Sequence, residues 1–115
     1  MVIQVEKSSY IAPHRQLGKT KTYILLEGGM YVVFFDNLGN IENKLILRPW
    51  DKKGSTLLRF DSSPWHTVHS ITKTSTYVET AEGPYKPEST QFAEWAPANK
   101  DSQGIFWLKS KIKVL

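Results

Sequence analysis

Three histidines, His14, His66 and His69, and no cysteine at all define the chemistry open to this chain. Thiolate metal sites, cysteine nucleophiles and disulfides are excluded, which leaves imidazole, carboxylate, amine and phenol groups for acid–base or metal chemistry. His14 stands in Pro13-His14-Arg15-Gln16, while His66 and His69 share Pro64-Trp65-His66-Thr67-Val68-His69. A strand turns successive side chains to opposite faces, so two residues three apart cannot look into the same pocket unless a bulge intervenes. Taken singly, each imidazole is as readily a hydrogen-bonded structural residue as a ligand or catalyst. The sequence carries no phosphate-cradling glycine loop, no Gly-x-Ser-x-Gly elbow and no His-Glu-x-x-His helix.

The elements that must carry these residues read as strands. Short runs rich in Val, Ile, Phe, Tyr and Thr recur at close spacing between turn residues, the pattern of an antiparallel barrel or sandwich. Strands are expected over Ser9–Pro13, Lys21–Leu26, Met30–Phe35, Ile41–Leu47, Thr56–Phe60, Trp65–Ile71 and Thr76–Thr80. Asn37-Leu38-Gly39-Asn40 marks a hairpin, with Asn and Gly able to take positive φ, and Gly28-Gly29 marks another turn. Two prolines keep Glu82-Gly83-Pro84-Tyr85-Lys86-Pro87 out of any interior strand. Beyond Pro97, Ile105, Leu108, Ile112 and Leu115 fall on one helical stripe with Asp101 or Ser102 as N-cap, which predicts a short C-terminal helix. Met30–Phe35 is apolar on both faces, so one face is expected to be covered by that helix or by a second subunit; a homodimer is the expectation adopted.

A length of 115 residues supports one hydrophobic core, hence a single domain over residues 1–115, and 40% hydrophobic residues are enough to fill it. No apolar run is long enough for a membrane span and Met1-Val2-Ile3-Gln4-Val5 lacks the pattern of a signal peptide, so a cytoplasmic protein with no membrane partner is expected. The net charge of +4 comes from Lys and Arg scattered among acids, so nucleic acid is not the expected partner. The close trio Lys109, Lys111 and Lys113 reads as the solvated side of the terminal element.

A histidine on an early strand, a glycine turn, hairpins and then a histidine after Pro-Trp is an order that resembles the cupin family. Its first motif, G-x5-H-x-H-x4-E-x6-G, finds Ser8, His14, Gln16, Lys21 and Gly28 at the matching spacings, and Asp61-Ser62-Ser63-Pro64-Trp65-His66 is similar to its second. Downstream, Trp65-His66-Thr67, Glu82-Gly83-Pro84-Tyr85 and Phe92-Ala93-Glu94-Trp95-Ala96-Pro97 look like the WbuC-type cupin-fold proteins of polysaccharide gene clusters. The match runs from Ser8 to Trp107. Members of that family carry a longer N-terminal segment, so a first strand that is incomplete or borrowed from a partner is implied.

The resemblance implies an all-β fold, a small antiparallel barrel or jelly roll of cupin type with the short C-terminal helix, and His14 and His66 converging inside it. It also implies a divalent metal such as zinc, iron, manganese or nickel on His14, His66 and Gln16. Gln16 and Lys21 depart from the family's second histidine and its carboxylate. An amide oxygen is a weak ligand and an ammonium repels a cation, so the metal position is expected to be incomplete or vacant.

The family spacing puts Lys21 inward; a one-residue slip would turn it, Tyr23 and Leu25 out. An inward ammonium needs a partner. A hairpin of Trp65–Ile71 with Thr76–Thr80 would present Glu79 for this role, the alternative being a surface acid. A pocket so built has His66, Glu79 and Tyr23 as candidate catalytic groups, with His14, Gln16, Lys21 and Tyr85 for ligand binding. Such groups could move a proton next to a carbonyl, as in sugar isomerisation or epimerisation, without a metal. The function implied is work on a sugar or nucleotide sugar in surface-polysaccharide (O-antigen) synthesis. The alternative is a non-catalytic barrel that binds a sugar-like molecule. Trp65, Trp95 and Tyr85 are read as packing residues before sugar platforms.

Overall fold

The computed structural model describes residues 1–50, 53–83, 86 and 89–114. Among them the strands are β1 (Val2–Glu6), β2 (His14–Arg15), β3 (Thr20–Glu27), β4 (Met30–Phe35), β5 (Ile41–Leu47), β6 (Leu57–Asp61), β7 (Trp65–Ser70), β8 (Thr74–Ala81) and β9 (Gln91–Phe92), followed by helix α1 (Ser102–Val114). They form one four-stranded sheet, β1-β8-β3-β6, and one five-stranded sheet, β5-β4-β7-β2-β9, with antiparallel pairing between the named strands. The sheets face each other over a shared core: Val5, Tyr23, Leu25 and Tyr77 of the first meet Met30, Val32, Leu47 and Val68 of the second. This is the expected antiparallel jelly roll with a C-terminal helix.

Strand β4 is apolar on both sides because both sides are covered. Met30 and Val32 enter the core between the sheets, whereas Val33 and Phe35 pack outside against Leu108 and Ile112 of α1. The helix therefore accounts for the outer face without a second subunit. Its start is capped by Asp101, whose Oδ1 accepts from the Gly104 amide at 3.0 Å. At its other end Lys44 Nζ donates to the Ile112 carbonyl at 2.8 Å, meeting a group the helix leaves without an internal partner.

Several sequence expectations are corrected. Ser9–Pro13 is not a strand: Pro13 has no amide to give a ladder, and the segment is held by single bonds such as Ala93 N to Pro13 O, at 3.0 Å. Pairing starts instead at His14. The first strand lies earlier, at Val2–Glu6, and pairs within the chain with β8 from Val2↔Val78 to Glu6↔Thr74. Trp65–Ile71 and Thr76–Thr80 do not form a hairpin, because β7 and β8 belong to different sheets. Where the chain crosses between them, Ser75 Oγ donates to the Gly29 carbonyl at 2.9 Å and meets Ser70 Oγ at 2.7 Å, which ties the two sheet-switching turns together.

In the β4–β5 turn only Gly39 takes positive φ, +88°; neither asparagine does. Asp36 supplies the missing order, its Oδ1 accepting from the amides of Leu38 and Asn40 at 2.9 and 2.8 Å. The lysines of α1 are not merely solvated, since Lys109 Nζ donates to the Ser8 carbonyl at 3.0 Å and Lys111 Nζ to that of Gly39 at 3.2 Å. β8 ends at Ala81, ahead of the proline-bearing stretch; Pro84, Tyr85 and Pro87 lie outside the described residues, as does Leu115.

Candidate functional site

His14 and His66 stand directly opposite each other on β2 and β7. Their ring centroids are 4.6 Å apart. His66, with Val68 and Ser70, faces the interior between the sheets, and the strand alternation sends His69 to the other side, against α1 beside Leu108, Lys109 and Ile112. His69 is buried there with its Nε2 unpartnered, and burial, followed by Lys109, Lys113 and Lys7, lowers its pKa to about 4.

The opposite sheet contributes the charged groups. Alternation along β3 buries Lys21, Tyr23 and Leu25 on the inner face, and the β3–β8 register sets Tyr23 beside Glu79. Glu79 thus reaches the site from across the interior and not along a hairpin from His66. Lys21 Nζ lies 3.4 Å from His66 Nε2 and 4.0 Å from Glu79 Oε1. Lys21 is inward, as the spacing implied.

The protonation of the rings follows from their partners. His14 Nδ1 is 2.9 Å from the Ala12 carbonyl and His66 Nδ1 is 2.9 Å from that of Pro64. A carbonyl only accepts, so in both rings Nδ1 carries the hydrogen and the neutral ring keeps its lone pair on Nε2. The His66 pair accepts from Lys21. His14 Nε2 has no hydrogen-bond partner among the described residues.

Burial sets the electrostatics. His66 is enclosed by Phe34 and by Phe60, whose ring centroid is 5.1 Å away, edge on. Desolvation, then the neighbouring His14, lowers its pKa to about 3. His14 is lowered too, first by desolvation and, against the pull of Glu79, by Lys21. Lys21 is lowered by burial while Glu79 pulls it back up. Burial and then Glu79 raise the Tyr23 phenol well above its ordinary value. At neutral pH the cluster holds two neutral imidazoles, a phenol that keeps its proton, and an acid beside an amine.

Glu79 also lines a cavity of about 150 Å³ at the mouth between the sheets, with Gln16, Lys19, Glu82, Lys86 and Ser89. Gln16 is buried here and its Nε2 donates to Thr90 Oγ1 at 3.1 Å. Lys19, Lys86, Ser89 and Thr90 were not singled out from sequence. Loop residues show no periodicity, so only the fold reveals them at the mouth. Tyr85 lies outside the described residues.

A divalent ion on His14, His66 and Gln16 is not what these groups suit. The lone pair of His66 faces an ammonium, and the amide oxygen of Gln16 is a weak neutral ligand. No cluster of three or more His, Asp or Glu with metal-holding geometry occurs among the described residues.

A family described as a domain of unknown function (DUF6016) matches residues 1–47, less than half of the chain. No curated protein matches. Solved structures do: a dTDP sugar isomerase from Desulfovibrio desulfuricans G20 superposes with a TM-score of 0.66 at 14% identity, over 91% of this chain and 66% of that one. A dTDP-4-dehydrorhamnose 3,5-epimerase from Elizabethkingia anophelis NUHP1 gives 0.63 at 17%, over 83% and 55%. A 3,4-ketoisomerase from Helicobacter canadensis gives 0.56 at 11%, over 94% and 74%. The fold is a small cupin-type jelly roll. The chain spans less than two thirds of the first two of these proteins, and identity this low carries the cupin fold alone. No helix among the described residues is long and apolar enough to cross a membrane.

Proposed function

We propose that this cupin binds a sugar or the sugar end of a nucleotide sugar at the mouth formed by Gln16 and Glu79, and moves a proton next to its carbonyl. The observation that carries the reading is the Lys21 amine held 3.4 Å from His66 Nε2, with the His14 ring centroid 4.6 Å from that of His66. The neutral His14 imidazole is in the protonation state that a general base needs at neutral pH. His14 Nε2 takes the proton from the carbon beside the carbonyl. The C–H electron pair moves into the carbon skeleton, and the negative charge develops on the carbonyl oxygen.

Lys21, itself buried, then stabilises that oxygen. Tyr23, whose phenol keeps its proton, and Glu79 complete the relay. Return of the proton to the opposite face of the carbon is epimerisation; return to its neighbour is isomerisation. His66, wholly buried, acts by positioning Lys21. The names of the similar structures, a sugar isomerase, an epimerase and a ketoisomerase, support this reaction class. The WbuC-like stretches around Trp65 and Trp95 support a place in surface-polysaccharide synthesis.

The test is solvent exchange. Incubation of keto-sugars and their nucleotide forms in D2O, followed by NMR, should give deuterium at the carbon beside the carbonyl. Lys21→Gln and His14→Gln should each abolish it. The second reading, a barrel that binds a sugar without reaction, is favoured by the complete burial of His66 and by a cavity of only about 150 Å³. Sugar-dependent thermal stabilisation with no exchange would establish that one instead.

A further inference from the structure

The two histidines of the site are anchored as metal-bound histidines are anchored, but the cation beside them is a lysine. Histidines that ligate metals give their second nitrogen to a carbonyl or carboxylate, which fixes the ring and aims the lone pair. Both rings here do this: Nδ1 of His14 and of His66 each donates, at 2.9 Å, to the carbonyl two residues earlier. The ring centroids lie 4.6 Å apart, the planes tilted by 53°, as a cross-strand pair within a five-stranded sheet. A carboxylate, Glu79, comes from the opposite sheet. The atom that meets His66 Nε2 and approaches Glu79 is Lys21 Nζ, at 3.4 and 4.0 Å.

These distances describe a cation between one imidazole lone pair and an acid, with the second imidazole ring next to the first. We propose that the ammonium of Lys21 is a covalently tethered cation in the place of a divalent ion, so that this cupin carries a metal site closed by one side chain. Two consequences follow from the charges. While Lys21 is present, an incoming divalent ion meets a like charge within a few ångströms and finds the His66 lone pair occupied. Once Lys21 is replaced by a carboxylate, the same two imidazoles gain an anionic oxygen on the inner face of β3, and two imidazoles with carboxylate oxygen suit first-row divalent ions. The inference is independent of the proposed reaction, because metal binding is read without turnover.

The experiment compares untagged wild-type protein with Lys21→Glu and Lys21→Gln, each refolded with and without cobalt(II) and zinc(II). Binding is followed by the visible absorption of cobalt and by calorimetry. Wild type should purify without stoichiometric metal and bind cobalt weakly. Lys21→Glu should bind one equivalent with an affinity raised roughly 100-fold or more, as expected when a repelling charge at this distance is exchanged for a ligand. Lys21→Gln should fall between, and His66→Ala on the Lys21→Glu background should abolish the gain. The proposal is overturned by stoichiometric metal in the wild type. It is overturned equally if neither variant gains metal affinity, whether folded without metal or still unfolded after metal is added.

Discussion

Lys21 Nζ and His66 Nε2 lie 3.4 Å apart across the interior, although 45 residues separate them in the chain. One comes from each sheet, so the contact forms only when the jelly roll closes.

The site should make the fold sensitive to acid. His66 has a folded pKa of about 3 against 6.5 in the open chain, and His14 is lowered as well. A histidine that is harder to protonate when folded contributes its full stability above pH 6.5 and loses it as the pH falls toward the folded value. By pH 4 the loss at His66 alone is about 3 kcal/mol. Chemical denaturation from pH 8 to pH 4 should fall accordingly, and His66→Phe should flatten the curve.

Glu79→Gln removes the carboxylate partner of the Lys21 amine. Because the Glu79 side chain is 19% exposed and the pair is long, the expected cost is about 1–2 kcal/mol, less than for a fully buried pair. Lys21→Met on the same background should restore much of it in urea titrations, since the unpaired charge is then gone.

If His14 is the base, His14→Gln should lower deuterium exchange by about 100-fold or more. His66→Gln should leave sugar affinity near wild type while slowing exchange and altering its pH profile, because a positioning residue acts through Lys21. Equal loss of affinity in both variants would reverse these roles.

Gly39→Ala should destabilise by about 2 kcal/mol in thermal or urea unfolding. Its φ is +88° and a Cβ there would come within 2.8 Å of the Trp95 ring, so both backbone and packing oppose the methyl group.

Leu108→Ala should cost about 2–4 kcal/mol, since Leu108 is 2% exposed against Val33 and Phe35. Asp101→Ala, which removes only the N-cap, should cost about 1 kcal/mol. Faster amide exchange along α1 in both variants would locate the effect in the helix.

The sequence by itself determined the type of most elements. Met30–Phe35 and Ile41–Leu47 coincide with β4 and β5, and the stripe Ile105, Leu108, Ile112 with α1, because alternation and helical period are local properties that burial of one face preserves. It also determined that His66 and His69 part company, since that needs only the period of a strand. Outside the β4–β5 hairpin, which the Asn37–Asn40 turn announces, strand partnership was decided by the tertiary structure. Val2–Glu6 gains its strand from pairing with β8, and Glu79 enters the site because the chain changes sheets between Ser70 and Thr74. Pairing energy belongs to two distant segments at once, and nothing in either segment names the other. The same holds for Gln16, whose amide donates to Thr90 across 74 residues of chain, and for the lysine that meets His66 from the opposite sheet.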